Sequence, residues 1–214
     1  MSGILQVPNA LLGIDVSHFQ GAIDWVSVAE SGVKFVFIKA TDGASVSDPM
    51  LKQNIDGVTA AGLPYGPYHF WRPQESPEAQ AANFLNAVTE DAINAQQFAN
   101  VLDIETGALT EDCQDQALAW LSAIEQASPK LLRPVVYVSP SYAQVNLTDP
   151  AWQGSPLWTA HYTELPQPSI GKWPKWTFWQ RQGDGEVPGI SGLVDIDWFN
   201  GDSAAFAQFV QLPT

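Results

Sequence analysis

The chain has little positive charge, one cysteine and no long hydrophobic run. Nine Lys and Arg residues stand against 23 Asp and Glu residues, which gives a formal net charge of -14. Nucleic acid is therefore excluded as an expected partner, because its binding depends on Lys and Arg neutralising phosphates. The single cysteine, Cys113, excludes an internal disulfide. No segment reaches the roughly 18 apolar residues of a membrane span, so we expect no membrane partner.

The amino-terminal segment also lacks early positive charge. Its first basic residue is Lys34, whereas a secretory signal peptide begins with a positively charged region. We therefore expect no cleavable signal in this segment.

What the chain does contain fits one compact domain. Its 214 residues are 45% hydrophobic and only 15% charged, which argues against disorder. We expect a single domain over residues 1–214, with an extension at 1–10, a core at 11–199 and a terminal segment at 200–214.

Short apolar segments alternate with segments of helical periodicity. Strands are predicted at residues 11–16, 34–40, 64–70, 99–104, 133–139, 156–161, 176–181 and 193–197. Helices are predicted at residues 25–31, 49–61, 77–89, 111–127 and in a short piece from Ser141. Such alternation indicates a parallel sheet buried on both faces. The predicted fold is α/β, a single irregular TIM-like barrel of eight mainly parallel strands with about five helices, (β/α)5(β)3. A full barrel needs about 250 residues, so the loss of the last helices fits this length.

Two carboxylates follow the fourth predicted strand. Asp103 and Glu105 are spaced i, i+2, which on an extended backbone points both side chains to the same side, with Cα atoms roughly 6.6 Å apart. Crowded acids push their pKa values apart, so that one stays protonated and the other ionised. Paired carboxylates without metal ligands beside them indicate glycoside hydrolysis.

Other polar residues are predicted at the same mouth, because barrel enzymes place catalytic groups at the carboxyl ends of their strands. Asp15 closes the first predicted strand, and Asp195 and Asp197 close the last. Asp197 shares a face with Asp195. Sugar subsites are expected to be lined by Tyr68, Trp71, Tyr137, Tyr162 and Gln180. For Tyr68 a core position remains equally open.

A metal centre is the main alternative chemistry. His18, His69 and His161 lie near three strand ends, and zinc sites commonly combine His with carboxylate. No closely spaced pair of histidines is present, so hydrogen-bonded or substrate-contacting histidines are the preferred interpretation, and no metal or cofactor is expected.

A series of motifs resembles glycoside hydrolase family 25, the Chalaropsis-type lysozymes. The resemblance runs almost from end to end, and its joint order is specific. The motifs include Gly13-Ile14-Asp15-Val16-Ser17, Phe37-Ile38-Lys39-Ala40-Thr41-Asp42-Gly43, Gly66-Pro67-Tyr68-His69-Phe70, Asp103-Ile104-Glu105, Leu157-Trp158-Thr159-Ala160-His161-Tyr162 and Val194-Asp195-Ile196-Asp197-Trp198-Phe199. One departure is Asp42, where the family usually carries Glu.

The resemblance implies hydrolysis of the β-1,4 bond between N-acetylmuramic acid and N-acetylglucosamine in peptidoglycan. It matches Glu105 to the general acid. Asp103 matches the second acid, either a nucleophile or a stabiliser of an oxazolinium formed by the substrate's own acetamido group. Asp15 and Asp195 match the further acids at the mouth. We expect neighbouring carboxylates to raise the pKa of Glu105 by charge repulsion.

Two other functions share parts of this pattern. A chitinase-like hydrolase would use the same chemistry on a uniform N-acetylglucosamine polymer, and an inactive barrel would bind glycan without cutting it. The expected partner is the peptidoglycan glycan strand, met by a monomer at the cell wall. An extracellular, periplasmic or phage-delivered setting stays open.

Overall fold

A computed structural model describes residues 4–89, 97–107, 110–128, 131 and 133–210. Its strands are β1 (Leu11–Val16), β2 (Phe35–Asp42), β3 (Val46–Ser47), β4 (Tyr65–Phe70), β5 (Val101–Asp103), β6 (Val135–Val138), β7 (Leu157–Ala160), β8 (Phe178–Gly185) and β9 (Val194–Phe199). They form one sheet in the order β1-β9-β8-β7-β6-β5-β4-β2-β3, and β1 also pairs with β2. That second pairing closes the sheet, while β3 lies outside the closed ring and pairs with β2. The predicted TIM-like barrel is confirmed.

Six α-helices surround the described barrel. They are α1 (Trp25–Glu30), α2 (Leu51–Ala60), α3 (Pro77–Thr89), α4 (Glu111–Ala127), α5 (Pro140–Asn146) and α6 (Ser203–Val210). Side-chain caps fix several starts, because the first backbone N–H groups of a helix lack partners within it. Asp24 accepts hydrogen bonds from the N–H groups of Val26 and Ser27, and Thr110 accepts one from Cys113. The first five helices match the predicted ones, whereas α6 lies in the predicted terminal segment and was not foreseen.

One barrel strand runs against the others. Strand β9 is antiparallel to both of its neighbours, β8 and β1. The connection over residues 186–193 is too short for a crossover, since parallel strands need a dozen or more connecting residues. A short connection between neighbouring strands therefore forces the reversed direction.

Aromatic rings fill the lower half of the barrel interior. Phe37 packs against Phe178 and Phe35 with ring centroids 5.0 and 5.6 Å apart. Helix α6 closes this end from below, where Phe206 lies 5.6 Å from Phe35 and 5.0 Å from Phe199. These rings form the aromatic floor of the barrel. They leave no room for a side chain at position 13, because a Cβ on Gly13 would lie 2.2 Å from the Phe35 ring.

The barrel wall extends from β1 to β9, within the predicted core at residues 11–199. Parts of the two flanking predictions, residues 1–3 of the extension and 211–214 of the terminal segment, lie outside the described residues.

Candidate active site

All four predicted catalytic acids line one cleft at the mouth of the barrel. The cleft has a volume of about 330 Å³, and its walls include Asp15, Asp103, Glu105 and Asp195. Asp15 is near the end of β1 and Asp103 is the last residue of β5. A larger cavity of about 590 Å³ is lined by Trp173, Trp176 and Phe209 among others, and its described lining contains no Asp or Glu. Of these two cavities, the acid cleft is therefore the one that holds the paired carboxyl groups that glycoside hydrolysis requires.

Asp195 lies at the mouth of the barrel because of the direction of its strand, which was not predicted from the sequence. It was expected to close a strand, but it lies at the beginning of β9, paired with Asp15 in the register. Because β9 is antiparallel, its amino-terminal end lies beside the carboxyl ends of its neighbours. Asp197 then lies deeper in the barrel, opposite Gly13.

Gln180 of β8 organises one side of the cleft. Its Nε2 donates to Asp15 Oδ2 at 2.7 Å, and its Oε1 accepts from the Tyr137 and Tyr162 hydroxyls at 2.8 and 2.9 Å. The Tyr162 hydroxyl also lies 3.4 Å from Asp195 Oδ1. With three partners, the amide fixes the orientation of the Asp15 carboxyl and of both tyrosine rings.

Asp197 is fully buried beneath Asp15. Its Oδ1 accepts a 2.8 Å hydrogen bond from Trp158 Nε1. Its Oδ2 accepts from no described N–H or hydroxyl group. Burial, followed by the charges of neighbouring carboxylates, raises the pKa of both Asp15 and Asp197 well above its ordinary value.

Asp103 and Glu105 differ in their access to solvent. Asp103 is buried, and burial, then the charge of Glu105, raises its pKa well above 3.8. Glu105 reaches solvent at the open side of the cleft. The cleft walls still desolvate its carboxyl in part, which raises its pKa above 4.5, while the Lys39 ammonium lowers it. The pKa of Glu105 is thus raised, as expected. Its cause is burial and not the expected repulsion by neighbouring acids.

A cationic clamp borders the acids. Lys39 Nζ lies 3.2 Å from Asp42 Oδ2 and 4.8 Å from the centre of the Phe70 ring. Arg72 binds both oxygens of Asp42, at 2.6 and 3.0 Å, and covers the same ring. Although burial raises the pKa of Asp42, these two cations bring it below its ordinary value. The shorter acid that departs from the family pattern thus keeps two basic partners.

Most of the predicted sugar-contacting residues line the cleft, with one exception. Tyr68, Tyr137, Tyr162 and Gln180 are part of its wall. Trp71 is fully buried in the layer between strands and helices and lies outside the cleft lining. Neighbouring side chains on an extended backbone point to opposite faces, so that Phe70 faces the cleft and Trp71 packs away from it. We correct the expectation for Trp71 accordingly.

Several cleft residues were missed as contributors. Phe19, Gln20 and Ser17 follow β1, and Trp158 comes from β7. A Ser-x-x-Gln spacing directly after the first strand is the sequence signal for the turn that carries Phe19, since it matches a capping box.

The three histidines have separate local roles. His18 Nδ1 lies 2.7 Å from Asp48 Oδ2, and His161 Nδ1 accepts from the Ser169 N–H at 3.0 Å. His69 lies between Thr41 and Gln80 at 2.7 and 3.1 Å, and burial lowers its pKa to about 4. Within the described part of the chain, no group of three His, Cys, Asp or Glu side chains has metal-binding geometry. In that same part, no helix has the length and hydropathy to cross a bilayer.

Comparison with known proteins decides the family. The model of "Glycosyl hydrolases family 25" matches residues 14–190. The chain belongs to glycosyl hydrolase family 25. This family 25 hydrolase is 36% identical to Lysozyme M1 of Streptomyces globisporus over 207 residues, which cover 92% of this chain and 70% of that protein. It is 28% identical to the N,O-diacetylmuramidase of Chalaropsis sp over 199 residues, covering 86% of this chain and 93% of that one.

A solved structure agrees with the sequence comparison. The crystal structure of the bacterial lysozyme from Streptomyces coelicolor superposes with a TM-score of 0.85 at 32% identity, covering 95% of this chain and 98% of that one. The chain is thus a glycoside hydrolase of the lysozyme type, as its motifs predicted.

Proposed function

We propose that this family 25 lysozyme hydrolyses the β-1,4 bond between N-acetylmuramic acid and N-acetylglucosamine in peptidoglycan, with Glu105 as the general acid. The observation that carries the proposal is the grouping of Asp15, Asp103, Glu105 and Asp195 around one cleft with aromatic walls. The relatives named as lysozyme and as N,O-diacetylmuramidase support the choice of substrate.

Glu105 has the properties that a proton donor needs. Its pKa is raised by partial burial, so more of the carboxyl stays protonated toward neutral pH than for a free glutamate. It is also open to solvent, which gives the glycosidic oxygen of a large polymer a path to it.

Asp103 is suited to the acetamido-assisted route. Its Oδ1 is buried and has no hydrogen-bond donor among the described residues. A buried acceptor without a donor costs about 1–3 kcal/mol, and the N–H of a substrate acetamido group would satisfy it. Asp103 would then orient that group and stabilise the oxazolinium as it forms. Direct attack by the Asp103 carboxylate is the competing route.

Asp15 and Asp195 would hold sugar hydroxyls or the attacking water. They face each other across paired strands, Gln180 Nε2 donates to the Asp15 carboxyl, and the Tyr162 hydroxyl lies 3.4 Å from the Asp195 carboxyl. The rings of Tyr68, Tyr137 and Tyr162 supply apolar surface for the sugar faces, with the Gln180 amide between two of their hydroxyls.

The setting follows from the substrate. We propose that residues 11–199 work as one catalytic unit, that the protein acts as a monomer, and that it meets glycan strands at the cell wall. The route of delivery is not part of the proposal.

Analysis of the released glycan ends tests the proposal. Purified peptidoglycan is digested with the wild-type protein and with Glu105→Gln, and the products are reduced and identified by mass spectrometry. A reducing muramic acid end produced only by the wild type supports the account. Reducing N-acetylglucosamine ends, faster digestion of chitin oligomers, or binding without cleavage by the wild type would each contradict it.

A further inference from the structure

Large apolar side chains that reach solvent separate into two kinds. Among the described residues the aliphatic ones are Leu5, Val26, Val46, Val145, Leu165 and Leu193. The aromatic ones are Phe19 and Tyr162, and both line the acid cleft, whereas none of the aliphatic six does. Exposed aromatic surface is thus concentrated at the site of chemistry, as is typical of a ligand-binding surface.

Phe19 is the most exposed of these side chains, at 81% of its possible surface. Its backbone is nevertheless fixed by hydrogen bonds. Ser17 Oγ accepts from the Phe19 N–H at 3.3 Å, and the Ser17 N–H donates to Gln20 Oε1 at 2.9 Å. The preceding residue, His18, is bound to Asp48 through both its backbone N–H and its ring, and the His18 ring lies 4.2 Å from the Phe19 ring. An exposed apolar ring that stands on a fixed backbone and packs on a neighbouring ring is partly preorganised for contact with a ligand.

Phe19 and Tyr162 lie at different places along the mouth. Phe19 follows β1 and Tyr162 follows β7, and the order β1-β9-β8-β7 puts three strand spacings between them. At about 4.8 Å per spacing, the two strands are roughly 14 Å apart along the sheet. Asp15 and Asp195 lie on β1 and β9, the first two strands of this series. The strands that precede Phe19 and Tyr162 are thus separated by more than the width of one pyranose ring, which favours contact of the two aromatic rings with different sugars.

We propose that Phe19 is the platform of an outer sugar subsite, on which the apolar face of one more pyranose of the same glycan chain stacks. The inference rests on the proposed function, because it assumes that a glycan occupies the cleft. Continuity supports a sugar as the occupant, since Phe19 and the acids line one cleft. An uncharged ring is also favoured over an anionic group so close to Asp15 and Asp195. Gln20, beside Phe19 in the lining, offers its side-chain amide to the same sugar.

The test compares glycans of different length. Alternating muramyl oligosaccharides of increasing length are digested by the wild type, Phe19→Ala, Phe19→Trp and the control Val26→Ala, whose exposed side chain lies outside the cleft. Because aromatic stacking contributes about 0.5–1.5 kcal/mol, Phe19→Ala is expected to raise KM about 2- to 10-fold. The increase is expected only for chains long enough to reach the subsite, with kcat unchanged for the shortest substrate. Phe19→Trp restores KM, and Val26→Ala matches the wild type.

Equal losses on all chain lengths, or no loss on any, would overturn the subsite. A parallel measurement separates it from the proposed function. Calorimetry records binding of the same oligosaccharides to Glu105→Gln, with and without Phe19→Ala. If the wild type cuts none of the glycans but Phe19→Ala still weakens binding of the long ones, the proposed reaction fails and the subsite stands. If no glycan binds, both are refuted.

Discussion

The lower and upper halves of the barrel interior are built on the same strands but from opposite chemistry. On β2 the lower half receives Phe35 and Phe37, and the cleft above receives Lys39. On β9 the lower half receives Phe199, and the cleft receives Asp195. Because side chains on one face of a strand recur every second residue, each inward row changes from apolar to ionisable within a few residues. The aromatic floor is therefore what desolvates the acids above it.

The largest effect is expected in the upper half, at Glu105. Replacing it with Gln keeps the shape but removes the proton, so kcat/KM on peptidoglycan should fall by about 10²- to 10⁴-fold. Turbidity loss of purified cell walls measures the rate. Glu78→Gln on α3, where the glutamate is exposed, is the matched control and should leave the rate unchanged. A Glu105→Gln protein with near wild-type rates would remove Glu105 from the chemistry.

In the lower half, a substitution is expected to change the free energy of unfolding. Phe37 is fully buried and stacks on Trp158 at 4.1 Å, so Phe37→Ala opens a cavity beneath the acids and should lower the free energy of unfolding by about 3–5 kcal/mol. Urea unfolding followed by tryptophan fluorescence measures it. Val145→Ala, at an exposed site on α5, is the control and should change stability by less than about 0.5 kcal/mol. A similar small change for Phe37→Ala would mean that the floor is not tightly packed.

A smaller effect is expected at Asp195, on the pH dependence of stability. Burial raises the pKa of Asp195 from 3.8 to about 6. The folded state therefore holds the proton more tightly than the unfolded state. The wild type loses stability as pH rises from the unfolded pKa of 3.8 to the folded pKa of about 6. Asp195→Asn removes that loss, so it should be about 1–3 kcal/mol more stable than the wild type at neutral pH. The difference should vanish below about pH 4.

Asp24 is the control for that experiment, because its pKa is shifted in the opposite direction from that of Asp195. Hydrogen bonds from Ser27 hold the pKa of the exposed Asp24 below its ordinary value. Its contribution is present above that value and is lost as pH falls. Unfolding measured over the same pH series should show Asp24→Asn differing from the wild type toward neutral pH, in the destabilising direction. If Asp195→Asn follows the same direction as Asp24→Asn, the buried state of Asp195 is contradicted.

The smallest effect concerns Lys39, the cation of the clamp that also lines the acid cleft. Lys39 lowers the pKa of both Glu105 and Asp103. Lys39→Met keeps an apolar stem over Phe70 but removes this charge, so the alkaline limb of the pH–activity profile should move to higher pH, with roughly two- to tenfold more activity along that limb. Lys52→Met, at an exposed surface ion pair on α2, should leave the profile in place. A shift to lower pH would contradict the assigned role of Lys39.

The sequence predicted the barrel better than it predicted directions within it. Apolar segments and helical periodicity located the eight barrel strands and five helices, because burial imposes those patterns directly. The same patterns carry no information on strand direction, so Asp195 was assigned to the wrong end of its strand. Trp71 was misplaced for a related reason, since its predicted position one residue past a strand did not fix the face on which it lies.

Other features depend on contacts between distant segments. Burial of Asp197 against Trp158 joins residues 39 positions apart, and nothing local in the chain indicates it. The Gln180 network unites β1, β6 and β8 in the same way. Helix α6 was not predicted. It packs on the barrel through Phe206, which contacts Phe35 in the aromatic floor, and this contact joins segments far apart in the chain.

Titration of individual carboxyl groups would show whether burial in the cleft raises the pKa of Glu105. Carbon-13 NMR of labelled protein would follow the side-chain carboxyls of Glu105 and Glu78 in one sample. The cleft above the aromatic floor raises the pKa of Glu105 above 4.5 by burial, whereas the hydrogen bond from Ser76 lowers that of Glu78 below 4.5. Glu78 should therefore ionise first as pH rises, and Glu105 later. Titration of the two glutamates together, or Glu105 before Glu78, would contradict it.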